Sequence, residues 1–468
     1  MSVQLAVDDW KTAVHSALNA WNQIDGNSQD FLDNLLLVQE NRADTSTTTP
    51  VSLRLATNTV LLNCLEELAQ HDQTSAEILR RRYLDGETVQ AVANQNGLGR
   101  HQFMRRQRKA IAALTKVILS KETAVREQRA RLVESQLLPP SYGVLFGTEA
   151  WVAELEALLL RPEAPWIVAL TGLGGIGKTS LANATVRQIV RHFYFKQLIW
   201  LSLESPSEPQ KEPTPLRYED VLAQLAAKVC PQLPPPSQQE VAVKQMLKAF
   251  PHLIVIDNLE VELNSELLIR LHALANPSQF LLTSRIRPSS PVGVFNFPLT
   301  ELPEDDALAL LQHQAEIIGA TDLANAPDAM LQAIFEKVGG NPLALKLIAG
   351  LNYELAIPQI LNTLIQVNVQ EVNNMYQHIY WQLWRALSKD AKKLLEIMPL
   401  SSTEGMGQAQ ILAVSSLPEM QLLAAIQELS RRSLLEIRST PKEKRYAIHG
   451  LTRTFLLSEI IHWFEIES

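Results

Sequence analysis

The sequence is poor in cysteine, contains no long apolar segment and has no overall surplus of positive charge. Its 468 residues include two cysteines, Cys64 and Cys230, which are too few and too far apart for a disulfide framework or a zinc site. No run of about 18 uncharged apolar residues occurs, and the N-terminus carries acids where a signal peptide has a basic start. We therefore expect a soluble, cytoplasmic protein without a membrane partner.

The net charge and the aromatic content limit how this chain can bind nucleic acid. The formal net charge is −8, so any contact with phosphate backbones requires a local basic patch instead of the overall charge. Aromatic residues make up 6% of the chain and are not interleaved with the basic residues, which disfavours stacking on single strands. The length predicts about three domains, and no repeat of 20 to 50 residues is visible.

Hydrophobic spacing separates a helical N-terminal region from a region of alternating strands and helices. Residues 53–134 have apolar side chains at three- and four-residue intervals, which is typical of helices. After a proline-containing linker at 138–141, short apolar runs alternate with helical patterns, which predicts an α/β domain with a parallel sheet. The predicted strands are 166–171, 198–203, 253–257, 280–283 and 294–299. Further on we expect helices and a hairpin at 434–437 and 445–448.

The clearest motif is a glycine-rich loop at 172–179, with the sequence GLGGIGKT. It follows a predicted strand and opens a predicted helix, as the phosphate-binding loop of P-loop proteins does. The glycines let backbone amides surround a phosphate at a helix N-terminus, and the lysine reaches the β- and γ-phosphates. The residues expected to bind nucleotide here are Gly172, Gly174, Gly175, Ile176, Gly177, Lys178, Thr179 and Ser180.

A second acid is needed to hold the magnesium ion that accompanies a bound nucleotide. The apolar run at 252–256 ends in Asp257, at the carboxyl end of a predicted strand and therefore on the ligand-binding edge of a parallel sheet. We predict that Thr179 and Asp257 hold Mg²⁺ beside the phosphates of a bound nucleotide.

Together these blocks resemble the NB-ARC branch of the STAND nucleotide switches, which are related to the AAA+ ATPases. The similar blocks occur in family order and cover residues 140–460: LFGTE at 145–149, the loop at 172–179, LIWLS at 198–202, LLTSR at 281–285, GGNPLAL at 339–345 and YAIHG at 446–450. The resemblance implies a P-loop α/β domain at 140–300, a small helical (ARC-like) lid at 301–370 and a winged helix at 371–468. A helical module at 1–136 precedes them.

The resemblance also implies roles for individual residues. Phe146 and Gly147 lie in the segment that wraps the adenine, and Pro342 packs near the same ring. Arg285 faces the γ-phosphate. His449 touches the β-phosphate of ADP and holds a closed state, although Gly450 stands where the family has an aspartate. The ATP state is expected to form a homo-oligomer.

Asn258 departs from the family pattern in a way that affects hydrolysis. Family members often place a second acid after the metal aspartate, where it polarises the attacking water, but this chain has an amide there. An amide orients water without accepting its proton, so we expect slow ATP hydrolysis, with Asp257, Asn258 and Arg285 as the catalytic group. Glu260 is close in sequence and is the alternative base.

The second informative segment is a basic stretch that is similar to the fourth-region DNA-binding segment of sigma factors. Residues 76–118 combine a helix, a turn at Asn96-Gly97 and a second helix from about residue 99, which is the pattern of a helix-turn-helix. No acid occurs between Thr88 and Lys121. The residues expected to contact double-stranded DNA are Arg100, Gln102, Arg105, Arg106 and Lys109.

The residues leave three functions open. The first is a nucleotide switch that regulates transcription through the helix-turn-helix module. The second is a nucleotide-gated adaptor whose N-terminal module recruits a protein effector without binding DNA, in signalling or defence, because basic helix faces are often merely solvated. The third is a conventional P-loop kinase or remodelling ATPase, which Asn258 disfavours. The sensor or effector protein is not identified by the sequence.

Overall fold

The structure is a computed structural model. It describes residues 7–22, 31–41, 50–95, 97–202, 217–259, 265–285, 287–288, 293–353, 355–365, 372–402, 405–439 and 443–461. Asn96 of the predicted turn, Glu260 and the last seven residues lie outside the described residues. The chain divides into two compact units, Met1–Glu134 and Ser135–Ser468.

The N-terminal unit is helical, as predicted. Its helices are α1 (Val7–Asn19), α2 (Leu36–Glu40), α3 (Pro50–His71), α4 (Gln73–Leu79), α5 (Val89–Gln95) and α6 (Arg100–Gln136). Apolar side chains from α1, α2, α3, α4 and α6 form one core that includes Trp10, Leu61 and Leu114. The buried carboxylate of Glu122 accepts hydrogen bonds from the backbone amides of Leu36 and Leu37. A side chain of α6 thus provides the hydrogen-bond acceptors for the first amides of α2.

A five-stranded parallel sheet organises the first part of the second unit. Its strands have the order β2-β3-β4-β1-β5. They are β1 (Ile167–Thr171), β2 (Gln197–Ser202), β3 (His252–Leu259), β4 (Gln279–Ser284) and β5 (Phe295–Pro298). All five predicted strands are present with ends shifted by two residues or fewer, because runs of Val, Ile, Leu and Phe suit strands that are buried on both faces. The helices around the sheet are α7 (Glu149–Leu160), α8 (Lys178–Ile189), α9 (Tyr218–Val229), α10 (Pro236–Ala249) and α11 (Ser265–Leu274).

The remainder of the second unit combines helices with a small antiparallel sheet. The helical lid contains α12 (Glu304–Ile318), α13 (Thr321–Ala324), α14 (Asp328–Val338), α15 (Pro342–Asn352) and α16 (Ile357–Ile365). The winged part contains α17 (Val372–Ala386), α18 (Lys389–Ile397), β6 (Met406–Gly407), α19 (Gln408–Ser415), α20 (Glu419–Arg431), β7 (Glu436–Ser439), β8 (Lys444–Ala447) and α21 (Gly450–Phe455). The lid and the winged part share one hydrophobic core.

The small sheet matches the predicted hairpin and adds one strand to it. Strands β7 and β8 pair antiparallel within two residues of the predicted positions, and β6 pairs with the other side of β8. We did not predict β6, because two residues are too few to show a strand period. The domain boundaries within 135–468 remain predictions.

Among the described residues, no single helix is both long and apolar enough to cross a membrane. One neighbouring pair, α19 and α20, has sufficient apolar length together but is bent by 112°.

Candidate functional site

The glycine-rich loop lies between the buried strand β1 and the start of α8. Every residue of β1 is buried, which fixes the point where the loop leaves the sheet. Gly175 has φ +74°, and a Cβ atom there would lie 2.6 Å from Cβ of Leu343, so both the backbone conformation and the space require glycine. The loop therefore presents its backbone closely against α15 on one side and the N-terminus of α8 on the other.

Lys178 and Thr179 open α8 and point their polar atoms at the loop and the sheet. The Nζ of Lys178 donates to the carbonyls of Gly172 and Leu173, both at 2.9 Å, which keeps the ammonium group over the loop. Positive charge and the N-terminal amides of a helix in one place favour a bound anion. This arrangement suits the phosphates of a nucleotide.

Asp257 is held by two hydroxyl groups from neighbouring elements. Its Oδ1 accepts a hydrogen bond from Oγ1 of Thr179 at 2.8 Å and one from Oγ1 of Thr283 at 2.7 Å. Strand β4 lies between β1 and β3, which brings Thr283 beside the aspartate. A hydroxyl and a carboxylate oxygen side by side are hard ligands that fit Mg²⁺, with phosphate oxygens and water supplying the rest. The predicted metal pair is thus adjacent.

Asn258 occupies an irregular position in β3. The pairing with β4 shifts between Ile256 and Leu259, and Asn258 has φ +69° and an exposed side chain. Its backbone amide donates to Oγ1 of Thr283 at 2.8 Å. Asparagine tolerates the left-handed region better than most residues, and bulges of this kind re-aim side chains at sites. Asn258 therefore projects from the sheet edge next to Asp257.

The predicted base-binding residues lie in the lid or against it. The ring of Phe146 lies 5.4 Å from that of His313 on α12, and Gly147 is close to the carboxylate of Asp306. Pro342 is the first residue of α15, whose N-terminus contacts the glycine-rich loop. Phe146, Gly147 and Pro342 thus belong to the lid side of the site, where the resemblance expects the adenine.

His449 is a neutral imidazole with a defined hydrogen-bonding role. Its Nδ1 accepts from the backbone amide of Leu451 at 3.1 Å and caps α21, so the proton lies on Nε2. Removal from solvent lowers the pKa of His449 to about 4; Glu436 opposes this lowering, whereas the cations Arg285, Lys178 and Lys346 add to it. The structure therefore brings His449 into the electrostatic range of Arg285 and Lys178.

Two residues near the site were not singled out from the sequence. Thr283 stands one position before Ser284 in the LLTSR block, and its hydroxyl bonds both Asp257 and the Asn258 amide. Lys346 lies on α15; burial lowers its pKa, and Glu436 counteracts that effect. Both could have been noticed in the sequence, because Thr283 is a polar residue within the sensor strand and Lys346 is a charged residue within an apolar helix.

The predicted DNA-contacting residues lie on α6 in the N-terminal unit. Arg100, Gln102, Arg105, Arg106 and Lys109 are all exposed, whereas Phe103 and Gln107 between them are buried. Ile78, Val92, Ala93 and Phe103 pack α4, α5 and the start of α6 into one small cluster. Arg105 and Lys109 line a shallow groove with His101, Met104 and Arg108, and Arg106 lies about 100° around the helix from Arg105.

Comparison with known proteins matches part of the chain to one domain family and to curated relatives. Residues 148–317 match the NB-ARC domain. An uncharacterized WD repeat-containing protein from Nostoc sp. is 24% identical over 325 residues, which cover 58% of this chain and 23% of that protein. A probable disease resistance protein from Arabidopsis thaliana is 23% identical over 299 residues, 60% of this chain and 34% of that protein. The chain spans about a quarter to a third of the length of these relatives.

Solved structures also align with much of the chain. The Walker-type ATPase of Pyrococcus abyssi aligns with a TM-score of 0.35 and 13% identity over 69% of this chain and 99% of that one. The Aeropyrum pernix ORC1 protein in complex with DNA aligns with a TM-score of 0.32 and 15% identity over 68% and 94%.

Proposed function

Residues 148–317 are an NB-ARC domain, the nucleotide-binding NTPase module of signalling switches, and from this premise we propose that the chain is an ATP/ADP switch with slow hydrolysis. The observation that carries the proposal is the joint placement of Lys178, Thr179 and Asp257 at one sheet edge, with His449 facing the same charges. Their chemistry is that of phosphate and metal binding.

Each residue has one task in the proposed nucleotide complex. The loop amides and Lys178 hold the β- and γ-phosphates, and Arg285 faces the γ-phosphate. Thr179 and Asp257 would hold Mg²⁺, which neutralises phosphate charge and orients the terminal phosphate when bound. Phe146, Gly147 and Pro342 surround the base. His449 donates from Nε2 to the β-phosphate as a neutral group.

Slow hydrolysis follows from the residue next to Asp257. The amide of Asn258 can align a water molecule but cannot take its proton at neutral pH. In a switch, a slow step lets the ATP state last long enough to deliver its output, whereas a motor or kinase requires fast turnover. This favours a timer over a conventional P-loop enzyme.

Switching requires that the nucleotide has different affinities for two arrangements of the domains. The lid and the winged part both reach the phosphate loop, through Leu343 and Leu451, whose side chains lie within contact distance of Gly175 and Gly174. Moving a population from 1:99 to 99:1 requires about a 10⁴-fold difference in affinity. Contacts from three parts of the chain to one nucleotide are a source for such a difference. ADP would favour the closed arrangement, and ATP an open one that forms homo-oligomers.

We propose that the output of the switch is duplex DNA binding, and thus transcription regulation, through a helix-turn-helix formed by α5 and α6. Supporting this, the groove on α6 is basic, and Arg105, Arg108 and Lys109 have no ion-pair partner among the described residues. Uncompensated cations on the exposed face of a second helix suit phosphate contacts in a major groove. The competing function is an adaptor that uses the same face to recruit an acidic protein effector.

The switch can be tested through nucleotide release and duplex binding in the same preparation. We expect the purified chain to carry ADP and the His449→Ala variant to release it about tenfold faster, because a hydrogen bond to a charged group is lost. Duplex affinity should differ between the ADP form and the form loaded with a non-hydrolysable ATP analogue.

Three outcomes separate the candidates. Duplex binding that changes with nucleotide supports the transcription switch. Nucleotide exchange without duplex binding at about 50 mM salt, where phosphate contacts are strong, favours the adaptor. Failure of the wild-type chain to bind ADP or ATP contradicts the switch altogether.

A further inference from the structure

Asn341 connects the helical lid to the phosphate-binding loop through both ends of its side-chain amide. It is 1% exposed and precedes α15. Its Oδ1 accepts from the backbone amides of Leu343 at 3.1 Å and Ala344 at 3.4 Å, which caps the helix. Its Nδ2 donates to the carbonyl of Gly174 at 3.1 Å. One buried side chain thus satisfies the start of α15 and binds the loop at the same time.

A second hydrogen bond from the lid reaches the next peptide of the loop. The backbone amide of Leu343 is shared between Oδ1 of Asn341 and the carbonyl of Gly175, at 3.1 and 3.3 Å. Two successive loop carbonyls, those of Gly174 and Gly175, are therefore held by donors of the lid. These two hydrogen bonds together fix the orientation of both peptide planes.

The orientation of these carbonyls determines where the loop amides point. In a planar trans peptide the carbonyl and the following N–H are directed oppositely. With the carbonyls of Gly174 and Gly175 turned toward the lid, the amides of Gly175 and Ile176 are turned away from it, into the loop. Within the loop, the Ile176 amide donates to the Leu173 carbonyl at 3.4 Å, which is a long and weak hydrogen bond. A phosphate oxygen is a stronger acceptor at that position.

We infer that Asn341 is a positioning residue for the nucleotide diphosphate, which acts through the peptide planes of Gly174 and Gly175 and couples phosphate binding to docking of the lid. The inference rests on the proposed nucleotide binding and adds a residue to it. Because coupling of two equilibria is reciprocal, a docked lid strengthens diphosphate binding and bound diphosphate strengthens lid docking. A side chain that only capped α15 would do neither.

Two substitutions remove the Nδ2 donor of Asn341 and keep an oxygen that can cap α15. Asn341→Ser and Asn341→Asp both keep an oxygen that caps α15, and neither donates to the Gly174 carbonyl as the amide does. The matched control is Ser388→Ala, which removes the cap of α18, where Oγ accepts from the Ala391 amide at 3.2 Å, far along the chain from the loop. All three variants lose stability, but only the first two change the loop.

The measurement is the affinity of the full chain, stripped of nucleotide, for ADP, AMP and inorganic pyrophosphate. We expect Asn341→Ser to weaken ADP and pyrophosphate about three- to tenfold, the value of one neutral hydrogen bond, and to leave AMP within about twofold. Ser388→Ala should lower the melting temperature and leave the ADP-to-AMP affinity ratio at the wild-type value.

Equal ADP-to-AMP ratios in Asn341→Ser and the wild type, with a lower melting temperature, would show a cap and nothing more, and would overturn the inference. A wild-type chain that binds neither ADP nor pyrophosphate would instead contradict the proposed function. If the Asn341 variants do not fold, hydrogen exchange of the wild type decides: the Leu343 amide should exchange more slowly with ADP than without it, and an equal rate overturns the inference.

Discussion

Asp257 and Arg105 are both polar residues that the sequence alone pointed to, but the structure holds them differently. Asp257 is buried and accepts hydrogen bonds from Thr179 on α8 and Thr283 on β4. Arg105 is exposed on α6, beside Arg108 and Lys109 of the same helix. The surroundings of Asp257 are built from several elements of the chain, whereas Arg105 belongs to a charged face of a single helix.

This difference predicts different responses to mutation. Where several elements fix a side chain, a single change leaves buried partners unsatisfied and has a large effect that salt scarcely screens. Where exposed cations act through their charge, each change has a small effect that adds to the others and weakens with salt.

Lys178→Ala should give the largest effect. The lysine supplies the charge that meets the β- and γ-phosphates, and loss of a charge-assisted contact costs about 1.5–3 kcal/mol, which is about 10- to 150-fold in ATP affinity. Calorimetry measures it, with Lys244→Ala on α10 as the control that removes the same charge from an exposed position. Unchanged ATP affinity in Lys178→Ala would contradict the assignment of the phosphate loop.

Acid should destabilise the second unit through His449. Its pKa is about 4 in the folded chain against an ordinary 6.5, so below pH 6.5 the unfolded chain takes up the proton first and stability falls as the pH drops. Between about pH 7.5 and pH 5 this difference corresponds to about 2 kcal/mol. The loss should be absent from His449→Gln.

Urea unfolding at several pH values measures this effect. The His272→Gln variant keeps His449 and should retain the wild-type sensitivity to acid. If His449→Gln loses as much stability as the wild type between these pH values, burial does not lower the pKa of His449 in the folded chain.

The strands of the sheet were predicted well, and the phosphate loop was recognisable as a motif, because both are local in the sequence. The strands β1 to β5 are short apolar runs, and the loop at 172–179 is one continuous motif, so their chemistry is visible without knowing what packs against them. The positions of Thr283 and Asn341 depend on strand order and on how the lid docks. A linear sequence shows Asn341 as a helix cap before Pro342, but it does not show that the other end of the amide reaches Gly174.

For the basic helix α6, the sequence showed the charges but not which of them share a face. The absence of acids between Thr88 and Lys121 was visible in the sequence, and so was the helical period. Which of the cations face the same way was less clear, because Arg105 and Arg106 are adjacent in sequence yet point about 100° apart. The structure groups Arg105 with Arg108, which we had not selected from the sequence.

Replacing Arg105 and Arg108 together by alanine should have an intermediate effect on duplex binding. If both contact phosphates, affinity at about 100 mM salt should fall about tenfold, and the slope of log K against log salt should decrease by about two units. The control is Arg129→Ala with Arg131→Ala, which removes the same charge about 36 Å further along α6. Equal losses in both double variants would mean that only net charge matters and that the groove is not a specific contact surface.

Asn258→Asp should give the smallest effect, and its direction is the informative part. A carboxylate at this position can accept a proton from the attacking water, so single-turnover ATP hydrolysis should accelerate by a few-fold, well below the 10²- to 10⁴-fold of an optimally placed base. The gain is limited because Asn258 is exposed, whereas Asp257 is buried and accepts two hydrogen bonds. Aspartate also tolerates the backbone φ of +69° at this bulge.

Asn258→Gly provides the matched control for that prediction. Glycine accepts the same φ without strain and has no side chain, so any acceleration through backbone freedom would appear in it as well. We expect hydrolysis to be faster in Asn258→Asp only, with ADP affinity equal in the wild type and both variants. If Asn258→Asp hydrolyses ATP at the wild-type rate, the water is positioned away from residue 258 and the slow step has another origin. If Asn258→Gly accelerates equally, the strained bulge, and not the missing carboxylate, limits the reaction.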